Sequence, residues 1–237
     1  MGGAALGADV TQGQLAAIHE RPRPVVAGSL GVFGGTFDPI HLAHLAVAQE
    51  AAETLGLERV LFVPAGQPPH KPDREITPAG HRLAMVELAV AGNERFAVER
   101  LELERPGPSY TVDTLEALRA GRPGSDAPAE LSLILSADAF LGLMTWREPR
   151  RILQLARVVV APRDGYPEAG PAFLASHLPD LADRATFLDG PRLRLSASEL
   201  RARAAAGRSL RYLVPDAVAA YIGDHGLYQE SRRNPRS

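Results

Sequence analysis

The chain has 237 residues, 45% hydrophobic and 23% charged, enough for one large domain or two small ones with a packed core, so general disorder is excluded. Its 26 basic and 28 acidic side chains leave a formal charge of −2, which argues against a broad nucleic-acid or membrane surface but not against a local basic pocket. There is no cysteine, so neither a disulfide framework nor a thiolate metal site can form, and no apolar run reaches the length of a membrane span; the expectation is a cytoplasmic protein.

Residues 1–28 lack a long apolar core, do not resemble a secretory signal, and read as a flexible N-terminal extension. Ser29–Phe33 is a short apolar run before a Gly-Gly turn, the pattern of a buried parallel strand. Leu42–Leu55 has apolar residues at helical spacing, and Gly56 can end that helix. Arg59–Val63 predicts a second strand, Gly66–Thr77 a proline-rich loop, and Pro78–Ala91 a helix with proline in its first turn. Phe96–Glu104 alternates like a strand pair or one bent strand. Ser109–Arg119 starts with helix-capping residues and continues as a helix, and Gly121–Pro128 is a loop.

Leu131–Leu135 and Arg157–Ala161 predict two further strands, with a helix over Glu148–Leu155 between them and a loop over Pro162–Gly170 after them. Thr186–Leu188 reads as a last short strand. Ser196–Ala206, closed by Gly207, and Pro215–Gly223 read as the final helices. This alternation predicts an α/β fold: a Rossmann-like, doubly wound, mostly parallel sheet over a single domain spanning 29–228, with a small C-terminal helical part and a frayed tail at 229–237.

The stretch from Gly34 to His44 carries the chemistry. In an open parallel sheet, ligands bind beyond the carboxyl ends of the strands, where the turn Gly34-Gly35-Thr36 lies. Glycine lets the backbone approach a phosphate closely. His41 and His44 are three apart, share one face of the first helix turn, and can donate to phosphate oxygens. A metal pair is the weaker reading, because helical zinc histidines usually sit four apart with another ligand nearby.

Gly34-Gly35-Thr36-Phe37-Asp38-Pro39-Ile40-His41-Leu42-Ala43-His44 resembles the hallmark of the nucleotidyltransferase superfamily that shares a His-x-Gly-His motif, with Ala43 in place of the usual glycine. Further segments, from about Leu30 to Tyr228, resemble its bacterial nicotinate-nucleotide adenylyltransferase branch. Pro68-Pro69-His70-Lys71 is similar to that branch's proline loop, where Lys71, the only lysine, would face the ATP phosphates. Pro108-Ser109-Tyr110-Thr111 is similar to the segment that contacts nicotinate mononucleotide, although Ser109 or Thr111 also reads as an ordinary helix cap.

By the same resemblance, Asp138 lies near the ribose hydroxyls, in a segment where Ser136 replaces a usual glycine; its plain reading is a cap of the next turn. Trp146, the only tryptophan, would stack on the pyridine ring, with Arg147 where the branch often has tyrosine. Arg163 matches an arginine after the fifth strand. Leu195-Ser196-Ala197-Ser198-Glu199-Leu200-Arg201 matches a C-terminal phosphate-binding motif.

The resemblance implies adenylyl transfer from ATP to nicotinate mononucleotide in NAD biosynthesis, with Mg²⁺ held mainly by the phosphates. His41, His44, Lys71 and Arg201 would carry the charge role. Gly34, Gly35, Thr36, Phe37, Asp138, Ser196 and Ser198 would join His41, His44 and Arg201 around ATP. Thr36, Lys71, Ser109, Tyr110, Thr111, Trp146 and Arg163 would surround the mononucleotide. No nucleic-acid or membrane partner is expected, and a homo-oligomer is compatible with the sequence. The alternative is another adenylyl- or cytidylyltransferase of the superfamily, such as one acting on phosphopantetheine. A non-catalytic nucleotide sensor and a class I aminoacyl-tRNA synthetase fit less well.

Overall fold

The computed structural model describes residues 23–67, 76–121, 130–166 and 170–229. In chain order these residues form strand β1 (Val26–Gly35), helix α1 (Leu42–Leu55), β2 (Leu57–Pro64), α2 (Ala79–Val90), β3 (Phe96–Val98), α3 (Leu101–Glu104) and α4 (Thr111–Ala120). Then come β4 (Glu130–Ser136), α5 (Ala137–Leu141), α6 (Pro149–Leu155), β5 (Arg157–Ala161), α7 (Pro171–His177), β6 (Ala185–Phe187), α8 (Ala197–Ala205) and α9 (Asp216–Asp224).

The six strands lie in the order β3-β2-β1-β4-β5-β6, with each neighbouring pair parallel. The order reverses between β1 and β4, and a sheet of this type opens a crevice at that point. Strand register shows why the apolar runs are continuous. Phe33, Ile134 and Val159 face one side, where they join Ala48, Ala51 and Ala52 of α1, Met85 and Val86 of α2, and Val218 and Ile222 of α9. Val32, Leu133, Leu135, Val158 and Val160 face the other, against Leu115 of α4, Phe140 of α5 and Ile152 of α6. Both faces are covered, so alternation is lost and the strands read as unbroken hydrophobic stretches. Ala48, Ala51 and Ala52 of α1 are fully buried and let that helix lie close to the sheet, which fixes the position of its N-terminus over the β1 end.

The predicted strands and long helices are present, and α1 ends at Gly56 in a left-handed conformation (φ 66°). Three local readings need correction. The run Phe96–Glu104 is strand only to Val98; the Glu99 carboxylate accepts from the backbone N–H groups of Arg100 and Leu101 at 2.8 and 3.2 Å and starts the turn of α3. Neither Ser109 nor Thr111 caps α4: Tyr110 occupies the N-cap position without a side-chain cap, and the buried Ser109 instead donates its backbone N–H to the Gln67 carbonyl. Finally, α5 and α7 are additional helices, each too short to show an apolar period.

Candidate active site

Strand β1 runs out at Gly34 and Gly35, and the chain then turns sharply. Phe37 adopts a left-handed backbone (φ 48°), and its buried ring lies edge-on to Phe33 with centroids 5.9 Å apart. A Cβ on Gly35 would sit 3.0 Å from that ring, so any side chain there would have to displace it. Gly34 differs: a Cβ there would meet nothing within 4 Å, because the residue faces open space.

The turn delivers His41 to the N-cap position of α1 and His44 to its third residue. Their rings stack, 3.7 Å between centroids and 17° apart. The His41 backbone N–H donates to His44 Nδ1 at 3.2 Å. With Nδ1 as acceptor, the neutral His44 ring carries its proton on Nε2. Burial, and next the charge of Arg163, lower the pKa of His41 to about 4. Burial, His41 and Arg163 hold His44 well below the usual imidazole value. At neutral pH the pair is therefore uncharged and offers hydrogen bonds rather than positive charge.

Two cavities meet at this turn. The larger, about 430 Å³, is lined by Gly34, Gly35, Thr36, Phe37, His41, Ala43 and His44 from the first motif and by Ser196, Ala197, Ser198 and Arg201 from the start of α8. Two helix N-termini thus open onto one space, which suits an anion. At α8, Ser196 caps the helix by accepting from the Glu199 N–H at 3.2 Å, and its hydroxyl lies 3.0 Å from that of Ser198. Ala43 also lines this space, while α1 runs without interruption from Leu42. The smaller cavity, about 210 Å³, is lined by Ser109, Tyr110, Thr111, Thr114, Trp146, Arg147 and the buried Glu102. Gly34, Gly35, Thr36, Leu135 and Trp146 border both.

Arg163 lies on the larger cavity and donates to Asp138 Oδ2 at 2.8 Å, pairing two residues that the sequence reading assigned to different substrates. Asp138 is the second residue of α5, whose N-cap is Ser136, so it does not cap the turn as its plain reading expected. Arg147 covers the Tyr110 ring, 4.9 Å from its centroid, and stands 3.8 Å from Asp113. Pro68, Pro69, His70 and Lys71 lie outside the described residues.

Sequence reasoning missed a layer beneath the turn. Arg82 of α2 is almost fully buried; it donates to the carbonyls of Thr77 at 2.8 Å, Thr36 at 3.0 Å and Gly66 at 3.5 Å. Asp38, equally buried, accepts from the Tyr228 hydroxyl at 2.7 Å, and its carbonyl accepts from Arg201 at 2.6 Å. Arg82 sits among apolar residues of α2 and follows no motif, so only the tertiary contacts identify it. Asp38 stands inside the quoted motif, and that position was its one sequence signal.

A family model described as cytidylyltransferase-like matches residues 32–203. A relative from Thermomicrobium roseum, named probable nicotinate-nucleotide adenylyltransferase, is 50% identical over 84% of this chain and 91% of its own. One from Thermus thermophilus with the same name is 48% identical over 84% of this chain and 99% of its own. Among solved structures, Plasmodium falciparum nicotinic acid mononucleotide adenylyltransferase complexed with NaAD superposes with a TM-score of 0.67, covering 84% of this chain and 97% of that one. At 18% identity that likeness is one of fold.

Proposed function

The chain belongs to the cytidylyltransferase-like family, in the branch of the nicotinate-nucleotide adenylyltransferases, and we propose on that premise that it transfers the adenylyl group of ATP to nicotinate mononucleotide in NAD biosynthesis. The observation that carries the reading is the pair of cavities sharing the Gly34–Thr36 turn. A reaction between two nucleotides needs two sites whose reacting phosphates meet, and the turn is where they would meet.

ATP occupies the larger cavity, with its phosphates between the N-termini of α1 and α8, and the mononucleotide places its ring beside Trp146 in the smaller one. A phosphate oxygen of nicotinate mononucleotide attacks the α-phosphorus of ATP. The bond from that phosphorus to the bridging oxygen of the β-phosphate breaks, and pyrophosphate leaves with the electron pair. The products are nicotinate adenine dinucleotide and pyrophosphate. No protein nucleophile enters; the chain binds, orients and offsets developing charge.

In this division His44, and His41 beside it, donate to phosphate oxygens, Arg201 supplies fixed positive charge, and Ser196 and Ser198 add hydroxyl donors. Gly34, Gly35, Thr36 and Phe37 shape the backbone cradle, and Ser109, Tyr110 and Thr111 present a helix N-terminus to the nicotinate carboxylate. Lys71 adds a second cation. Arg163, which lines the larger cavity, is paired with Asp138. Among the described residues no group of three or more His, Cys, Asp or Glu is placed to hold a metal ion. The donors around the larger cavity suit an anion, so Mg²⁺ would enter on the triphosphate, where it offsets phosphate charge.

The test is pyrophosphate release with ATP and each acceptor in turn. Turnover of nicotinate mononucleotide far above phosphopantetheine is expected; the reverse order would overturn the assignment.

A further inference from the structure

Asp38 gathers contacts from three distant parts of the chain. Its side chain is only 4% exposed. The Tyr228 hydroxyl, 190 positions away, donates to Oδ1 at 2.7 Å, and the Thr77 N–H reaches Oδ2 at 3.4 Å. Arg201 Nη1 donates to the Asp38 backbone carbonyl at 2.6 Å and stays 3.9 Å from Oδ2. Burial and the neighbouring Asp38 charge push the Tyr228 phenol upward, so its O–H is present as a donor.

This arrangement holds a competition in check. Arg201 lines the larger cavity with its guanidinium one short movement from a buried carboxylate. A carboxylate short of donors draws an arginine into a bidentate pair, and a paired arginine has less charge to offer a phosphate. The Tyr228 hydroxyl occupies one carboxylate oxygen, and the carbonyl takes Nη1 in its place.

We propose that Asp38 and Tyr228 are positioning residues: Tyr228 satisfies the Asp38 carboxylate, so that Arg201 is anchored through the Asp38 carbonyl and keeps its charge on the nucleotide triphosphate. The proposal rests on reading the larger cavity as the ATP site. It ties the end of the described chain to a phosphate-facing charge in the first motif's cavity.

The experiment is calorimetric titration of the full chain with a non-hydrolysable ATP analogue and, separately, with nicotinate mononucleotide. Tyr228→Phe is expected to weaken analogue binding about tenfold, the scale of one hydrogen bond to a charged group, with mononucleotide binding unchanged. Adding Asp38→Asn to that variant removes the competing charge and returns part of the lost analogue affinity, a non-additive pair, while the lower Tm of the double variant reports the separate loss of the Asp38 charge beside buried Arg82. Parent-like binding by Tyr228→Phe, equal loss for both ligands together with a lower Tm, or a double variant no better than the single one would each overturn the proposal. Failure of the unaltered protein to bind the analogue would instead overturn the ATP-site reading beneath it.

Discussion

The imidazoles of His41 and His44 lie face to face with centroids 3.7 Å apart, and the backbone N–H of the first residue donates to Nδ1 of the second. Two stacked rings at this distance cannot both be protonated without strong repulsion, and their lowered pKa values fit that geometry. A histidine whose folded pKa lies below its unfolded value stabilises the fold fully above the unfolded pKa. That contribution drains away as pH falls between the two values. For His41 the window runs from 6.5 to about 4. At about 1.4 kcal/mol per pH unit, the loss across it is roughly 3 kcal/mol. His41→Asn keeps an uncharged capping residue. Its urea-denaturation stability is expected to fall by roughly 3 kcal/mol less than the parent's between pH 6.5 and 4. Parallel pH curves for parent and variant would contradict the assignment.

Arg82 joins the Thr36 carbonyl of the phosphate-side turn to the carbonyls of Thr77 and Gly66. Burial lowers its pKa, opposed chiefly by the charge of Asp38. Replacing it with methionine fills much of the volume but strands those carbonyls and leaves Asp38 short of positive charge. The expected cost is about 3 kcal/mol or more in urea denaturation, with kcat/KM reduced as the Thr36 turn loosens. Arg82→Lys restores the charge without the planar fork and should fall between the two. A methionine variant as stable as the parent would show that the buried network contributes little.

Glycines thirty-one and thirty-four of the same strand should respond oppositely to alanine. A Cβ on Gly31 would lie 2.9 Å from Leu57 Cδ1 and 3.1 Å from Val60 Cγ2, inside a packed region. Gly31→Ala should therefore lower stability by about 1–3 kcal/mol. A Cβ on Gly34 meets no atom within 4 Å and enters the space bordered by both cavities. Gly34→Ala should keep its Tm and lose activity, about a hundredfold if reacting groups are pushed apart by an ångström. Thermal melts and initial rates on the two variants separate the cases, and an active Gly34→Ala would move the reacting phosphates elsewhere.

The sequence made the site's front layer legible and hid its back layer. Continuous apolar strands betrayed a sheet covered on both faces, and the Gly34–His44 run marked the turn that borders both cavities. Leu42 and Gly56 marked the limits of α1 because a histidine-led entry and a left-handed glycine are local events. The misread end of Phe96–Glu104 depended on two backbone N–H groups that donate to the Glu99 carboxylate. Arg82, Asp38 and Tyr228 act through contacts spanning 46 and 190 positions, beyond the reach of any periodicity. The pairing of Arg163 with Asp138 is likewise a contact that spacing does not display.

Trp146 offers the most direct reading of substrate binding, because it is the only tryptophan and borders both cavities. Its own N–H donates to the Leu143 carbonyl at 3.0 Å, which holds the backbone there, and its ring packs against the core on that face of the sheet. Stacking of an electron-poor pyridine ring on the indole should quench the protein's tryptophan emission as nicotinate mononucleotide is added. Trp146→Ala removes that surface, and KM for the mononucleotide should rise about tenfold while KM for ATP changes little, the scale of one aromatic contact with its buried area. Trp146→Phe keeps a smaller aromatic face and should fall between. If KM for ATP rose instead and that for the mononucleotide stayed fixed, Trp146 would belong to the larger cavity's ligand, and the two substrates would have to exchange places about the Gly34–Thr36 turn.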